Sequence, residues 1–241
     1  MIKGIYTSAS GMLPRILKQE VFANNMANAS TPGFKKDSIF LEVLTDAVDG
    51  SSEIPWQTRM VDGVYIDFSQ GPLEQTEKKT NLALEGDGFF VVQTEHGNRY
   101  TRNGDFSISP RGILVDTNGN PVLSDSGPLT ISGDDVVIGS DGSITVDGSP
   151  MGIIKVVDFN KPYLLKKADG SYLIPADNTA VEKPADDFSI RQGYLENSNV
   201  NIIEVMVDML SSFRAYEAGQ KAIRTQDETL DKAVNDLGKV I

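Results

Sequence analysis

The chain has 241 residues, 22 Lys and Arg against 34 Asp and Glu, and a formal net charge of −12. So acidic a chain excludes a general nucleic-acid or anionic-membrane binder, because both partners are polyanions. It has no Cys and one His, which excludes thiol nucleophiles, disulfides, thiolate zinc sites and multi-His metal centres.

The opening residues, Met1 to Ser8, lack the apolar stretch of a secretory signal, and nowhere do 18 apolar residues run together. Ile2, Ile5, Ala9, Met12, Ile16, Gln19, Ala23 and Met26 recur at three- and four-residue spacing, which predicts a helix with one apolar stripe. Pro14 removes a backbone donor and crowds the carbonyl of Ser10, so a kink or late start is expected near Gly11–Pro14. The helix is expected to end near Asn28–Ser30, before Pro32-Gly33. Asn28-Ala29-Ser30 fits a glycosylation acceptor, but a helix end explains it fully.

Residues 37–75 are expected as an extended connector, on the mixed pattern and Gly50-Ser51-Ser52 of its middle. From 76 to 195 the chain reads as β-structure. Asn81–Glu85, Phe89–Val92, Arg99–Arg102, Asp105–Ser109, Ile113–Val115, Val136–Ile138, Ser143–Val146 and Ile153–Phe159 are predicted strands. Asn103-Gly104, Asn118-Gly119, Asp141-Gly142, Asp147-Gly148 and Asp169-Gly170 are predicted turns between them. Short strands at this spacing suggest a sandwich or barrel-like domain.

Three apparent motifs reduce to turns. Gly86-x-Gly88 lacks the third glycine of a dinucleotide fingerprint and precedes a strand pattern. Asp116-x-Asn118-x-Asn120 opens like a calcium loop, but Pro121 and Gly127 replace the required Gly and Glu. His96, in Glu95-His96-Gly97-Asn98, has turn neighbours and no nucleophile beside it in sequence. No pair stands out among the 25 acids of residues 37–195 as a hydrolase pair. No catalytic residue, cofactor site or metal site is assigned.

The last segment carries the longest pattern. Ile202, Met206, Met209, Phe213, Tyr216, Gln220, Ile223, Asp227, Leu230, Val234, Leu237 and Ile241 alternate by four and three. That predicts a coiled-coil seam on a helix about 60 Å long at ~1.5 Å per residue. Asn201, with Glu204 three residues on, predicts the cap. A rod of that length outruns the first helix, so its stripe needs a further partner. Charge favours association of the two ends: +4 over residues 1–36 and −3 over 196–241, against −13 between them.

Three segments now carry a likeness. Ala23-Asn24-Asn25-Met26-Ala27-Asn28-Ala29-Ser30-Thr31-Pro32-Gly33-Phe34-Lys35 resembles the N-terminal signature of bacterial flagellar rod and hook proteins. Leu84-x-Gly86-x-Gly88-Phe89-Phe90-Val91-Val92 with Tyr100-Thr101-Arg102-Asn103-Gly104-Asp105-Phe106 resembles their β-domain. Gln192-Gly193-Tyr194-Leu195-Glu196-Asn197-Ser198-Asn199-Val200-Asn201 resembles their C-terminal signature.

The resemblance implies an α+β fold: long terminal helices forming a coiled-coil-like assembly domain (1–36 and 196–241) around an inserted all-β domain. It implies a structural subunit of the basal-body rod, helically polymerised into a hollow torque-transmitting shaft. It implies no enzyme activity, no cofactor, and export by the flagellar type III apparatus. Expected partners are further copies, other rod and hook axial proteins, and ring proteins around the rod, with neither nucleic acid nor membrane insertion. The connector is short, which leans to the proximal rod; a distal-rod protein is the alternative. A peptidoglycan-acting hydrolase and a soluble chaperone-like coiled coil are the rivals of other classes. The subunit interface is assigned to Ile5, Met12, Ile16, Asn24, Asn25, Met26 and Asn28 on the first helix. On the second it is assigned to Ile202, Met206, Met209, Phe213, Tyr216, Ile223, Leu230, Val234 and Leu237.

Overall fold

A computed structural model describes residues 2–44, 58–133, 135–177 and 179–237, with side chains described for 11–40 and 63–235 apart from 134 and 178. The chain divides into two compact units. The first comprises residues 1–27, 37–67 and 201–241, and the second 28–36 and 68–200. The α+β arrangement of terminal helices around an inserted β-rich segment is as expected.

In the first unit, helix α1 spans Ile2–Ala27 and helix α2 spans Ile202–Leu237. At ~1.5 Å per residue they extend about 39 and 54 Å. They run antiparallel: the Ser212 hydroxyl donates to the Arg15 carbonyl at 3.3 Å, and Gly219 lies against Met12. A methyl group at Gly219 would stand 3.2 Å from the Met12 side chain, so the small residue lets the helices approach closely there.

Pro14 lies inside α1, so the late start expected near Gly11–Pro14 does not occur. Its ring is buried, and α2 holds the helix on both sides of it, at Met12 and at Arg15. Tertiary packing therefore offsets the missing hydrogen bond, worth roughly 3 kcal/mol in an exposed helix. The termini follow the sequence signals. Asn201 Oδ1 accepts from the backbone N–H groups of Ile203 and Glu204, at 3.1 and 3.3 Å. Beyond Ala27 the chain turns, with Thr31 N–H donating to the Asn28 carbonyl at 3.1 Å.

Residues 37–75 are not only a connector. Strands β1, Asp37–Leu44, and β2, Thr58–Ile66, form an antiparallel hairpin with a bulge between Phe40 and Leu41. Its β-formers (Ile39, Phe40, Val43, Val64, Tyr65, Ile66) are split between two short runs that pair across residues 45–57, and these lie outside the described residues. Asn25 ties α1 to the hairpin. Its Nδ2 donates to the Asp37 carbonyl and its Oδ1 accepts from the Asp37 N–H, both at 2.8 Å.

The second unit is built on an antiparallel six-stranded sheet. In spatial order its strands are Leu165–Lys167, Leu173–Pro175, Gly97–Thr101, Phe89–Thr94, Val156–Phe159 and Glu182–Pro184. Phe90 stacks edge-on against Phe106, within a core that includes Leu82, Leu84, Leu114, Ile144 and Ile154. On the opposite face Phe89 meets Phe68, Phe159 and Tyr163. Each fully buried ring contributes about 1.5–3 kcal/mol by removal from water.

One strand and one turn expectation change. The predicted Ile153–Phe159 strand divides at Ile154, because Ser149–Ile153 belongs to a separate three-stranded sheet. Asn103-Gly104 is no simple hairpin turn: Gly104 passes so close to Leu82 that a Cβ would stand 1.6 Å from its carbonyl oxygen.

Replacing Asn25 by Ala removes both of its hydrogen bonds to the Asp37 backbone. The first unit is expected to lose about 1–3 kcal/mol, read by urea unfolding followed through the helical circular-dichroism signal.

Candidate assembly surface

The stripe read from the sequence splits into two rows. One is the more covered: Tyr216, Ile223 and Leu230 are half-buried, beside the row Val205, Ser212, Gly219, Gln226 and Ala233, whose Ser212 and Gly219 meet α1. That second row recurs every seven residues and was missed, because only two of its five members are apolar side chains. The other row of the expected stripe is largely open. Ile202 is 40%, Met206 51%, Phe213 49% and Val234 68% exposed.

The exposure concentrates at the start of α2. Ile203, Val207 and Leu210 are exposed on the remaining sides of the same three turns, and Met209 is also exposed. Leu13, Ile16 and Leu17 are exposed on α1, whereas Met12 and Met26 are half-buried. Ile5 and Leu237 lie outside the residues whose side chains are described. These large apolar side chains are contiguous over the first turns of α2, more than the scattered single apolar residues of ordinary protein surface.

The asparagines do not act alike. Asn25 is 2% exposed, and its side-chain oxygen and nitrogen both bond the Asp37 backbone, so within the chain it is an internal tie. Asn28 closes the turn after α1, its Oδ1 accepting from the Thr31 hydroxyl at 3.4 Å. Asn24 is exposed.

The second unit holds a cluster that the sequence reading did not single out. Glu196 has a fully buried side chain between two buried cations. Lys35 Nζ lies 2.6 Å from its Oε1, and Arg102 Nη1 lies 3.5 Å from its Oε2. The Gly71 N–H also donates to Oε1 at 3.0 Å. Lys35 donates further to the Ser69 carbonyl, and Arg102 to the Gly86 carbonyl. The Glu196 carbonyl accepts from Gly33 N–H at 2.7 Å, and Asn199 Oδ1 accepts from Lys36 N–H at 2.7 Å.

Gly33, with φ +68°, passes against the Arg102–Asn103 backbone so closely that a Cβ would stand 2.2 Å from Asn103 N. The three sequence signatures thus meet at one ion cluster. A charged residue inside each (Lys35, Arg102, Glu196) was the available signal.

Two antiparallel helices with an apolar flank open to solvent, and a β unit clasped by segments from both chain ends, define a structural assembly subunit. The comparisons agree. Residues 5–35 match the family model described as flagella basal body rod protein, 83–146 the flagellar hook protein FlgE/F/G D1 domain, and 191–237 the flagellar basal body rod FlgEFG protein C-terminal. The chain is 34% identical over 248 positions to the flagellar basal-body rod protein FlgF of Caulobacter vibrioides, covering all of both chains. It is 31% identical over 256 positions to FlgG of Buchnera aphidicola subsp. Baizongia pistaciae, covering 96% of this chain and 98% of that one. It is 30% identical over 271 positions to the hook-basal body complex protein FlhO of Bacillus subtilis, covering all of both.

The chain belongs to the flagellar basal-body rod protein family. It is a structural, non-enzymatic component of the flagellar rod. That removes the hydrolase and chaperone readings.

Removing Glu196 takes away the buried carboxylate that Lys35 and Arg102 share. Glu196→Ala is expected to destabilise the second unit by about 3–5 kcal/mol, read as a lower denaturant midpoint of its tertiary signal. A loss under about 0.5 kcal/mol, the level of an ordinary surface change, would contradict the cluster's weight.

Proposed function

We propose that the chain is a proximal-rod subunit whose copies polymerise helically through α1 and α2 into a shaft transmitting torque from motor to hook. The carrying observation is the apolar flank of unit one: Ile202, Ile203, Met206, Val207, Leu210 and Phe213 on α2, with Leu13, Ile16 and Leu17 on α1. Side chains of this size buried between subunits supply about 25 cal/mol per Å² of apolar surface. Repeated in every subunit, that suits a stiff, long-lived polymer.

Helical polymerisation needs heterologous contacts that do not close into a ring of a few copies. An apolar flank extending over two helices is suited to them. The same flank would receive the adjacent rod and hook proteins where copies of this chain end.

The proximal position is supported by chain length. The alignment with FlgF needs 248 positions for 241 residues, whereas that with FlgG needs 256 for 96% of the chain. Fewer insertions accompany a connector as short as this one.

Two experiments test this reading. Phe213→Asp and Met206→Asp are expected to leave the monomer's stability within about 0.5 kcal/mol, since both side chains are half-exposed. Both variants are expected to abolish incorporation into isolated basal bodies and, with it, motility; normal motility in both would overturn the interface. For position, basal bodies are isolated from cells lacking the distal-rod protein. A proximal subunit remains on them, and its absence would assign the chain to the distal rod.

A further inference from the structure

Three turns of the second unit meet at one end of its main sheet: Thr94–Gly97, the loop from Asp116 to Pro121, and the turn at Asp169-Gly170. Between them lies a groove of about 390 Å³, within the size range of small-ligand sites. Binding groups concentrate on loops held by a rigid scaffold, and here the scaffold is unusually well fixed.

Tyr172 forms the floor and is 8% exposed. Its phenol donates to Asp116 Oδ2 and accepts from Nδ2 of both Asn118 and Asn120, each at 2.8 Å. Asp116 Oδ1 accepts the backbone N–H groups of Asn118 and Asn120, at 2.8 and 2.9 Å. Asp116 is therefore fully occupied by protein donors, which removes the calcium-loop reading.

The same bonds orient both amides. With each Nδ2 turned to the phenol, the Oδ1 atoms of Asn118 and Asn120 accept no hydrogen bond from any described residue. They are preset acceptors. Around them the groove offers further acceptors on Glu95 and Asp169, and donors on Arg99 and His96.

This lining selects by exclusion. It carries no large aliphatic side chain to anchor a lipid tail or an apolar peptide. Two rim carboxylates against one guanidinium, above the buried Asp116, disfavour phosphate and other anions. A dense, mixed set of planar donors and acceptors matches a ligand whose every group both donates and accepts, as hydroxyls do.

We infer that this groove binds a neutral or amino-sugar glycan, held by the amide oxygens of Asn118 and Asn120 with Arg99 donating from the rim. The inference is independent of where along the rod the subunit stands.

The test uses the full-length chain, isotopically labelled, in nuclear magnetic resonance titrations. The probes are a neutral N-acetylated chito-oligosaccharide, its de-N-acetylated amine form, and an acidic oligogalacturonate. The first two are expected to cause saturable shifts of the Asn118 and Asn120 side-chain amides and of the His96 ring. Asn118→Ala/Asn120→Ala is expected to weaken binding about tenfold. Arg99→Ala gives a second variant, because its guanidinium makes only a 3.5 Å bond to the neighbouring Asn98 carbonyl and folding does not depend on it. It is expected to weaken binding to a similar degree. Absence of saturable shifts at the probes' solubility limit would overturn the proposal. So would unchanged affinity in the Arg99 variant, tighter binding of oligogalacturonate, or tighter binding of a lysine-rich peptide than of either sugar.

Discussion

Glu196 is the residue on which the second unit's closure depends. A fully buried carboxylate costs several kcal/mol in desolvation unless it is paired and hydrogen-bonded. Here Lys35, Arg102 and the Gly71 N–H meet it together. Each donor comes from a different stretch of chain, so all of them must be in place before the charge is tolerable. The close approach at Gly33 follows from the same demand, because Lys35 can reach Glu196 only if the chain passes flat against Asn103. A hydrophobic replacement could match the cluster in stability. The charged version adds specificity, since no other partner in the core satisfies three buried ionic groups.

The first unit follows the opposite logic. Its helix–helix contact uses small or polar residues such as Ser212 and Gly219 against α1, while many large apolar side chains at the start of α2 are exposed. A monomer built for solubility would reverse that distribution. The chain's charge agrees: the acids concentrate between residues 37 and 195, leaving the two terminal segments near balance.

Much of this was legible in the sequence. Both helices, the Asn201 cap, the end of α1 and most strands follow from spacing and turn chemistry. Four of the five predicted turn glycines, at 119, 142, 148 and 170, do take positive φ. What failed to show had physical causes. Pro14 signalled a kink or a late start because propensity is local, whereas α2 grips the helix on either side. The hairpin of β1 and β2 was hidden because its halves are split by the segment 45–57. The row of α2 that faces α1 was invisible to an apolar-period search, since close packing there uses Ser and Gly. The tie between Asn25 and the Asp37 backbone carried no sequence signal. The ion cluster was hardest to read, since pairing across 161 residues leaves no periodic trace.

That separation also bears on the order of folding. The ends of the cluster close a loop of 161 residues, and loop-closure entropy grows slowly but steadily with length. Local hairpins such as Phe89–Thr94 with Gly97–Thr101 form without waiting for it. Lys35 and Glu196 stand near opposite ends of the β unit's own sequence, so their pairing becomes available only when nearly all of that unit's residues are present.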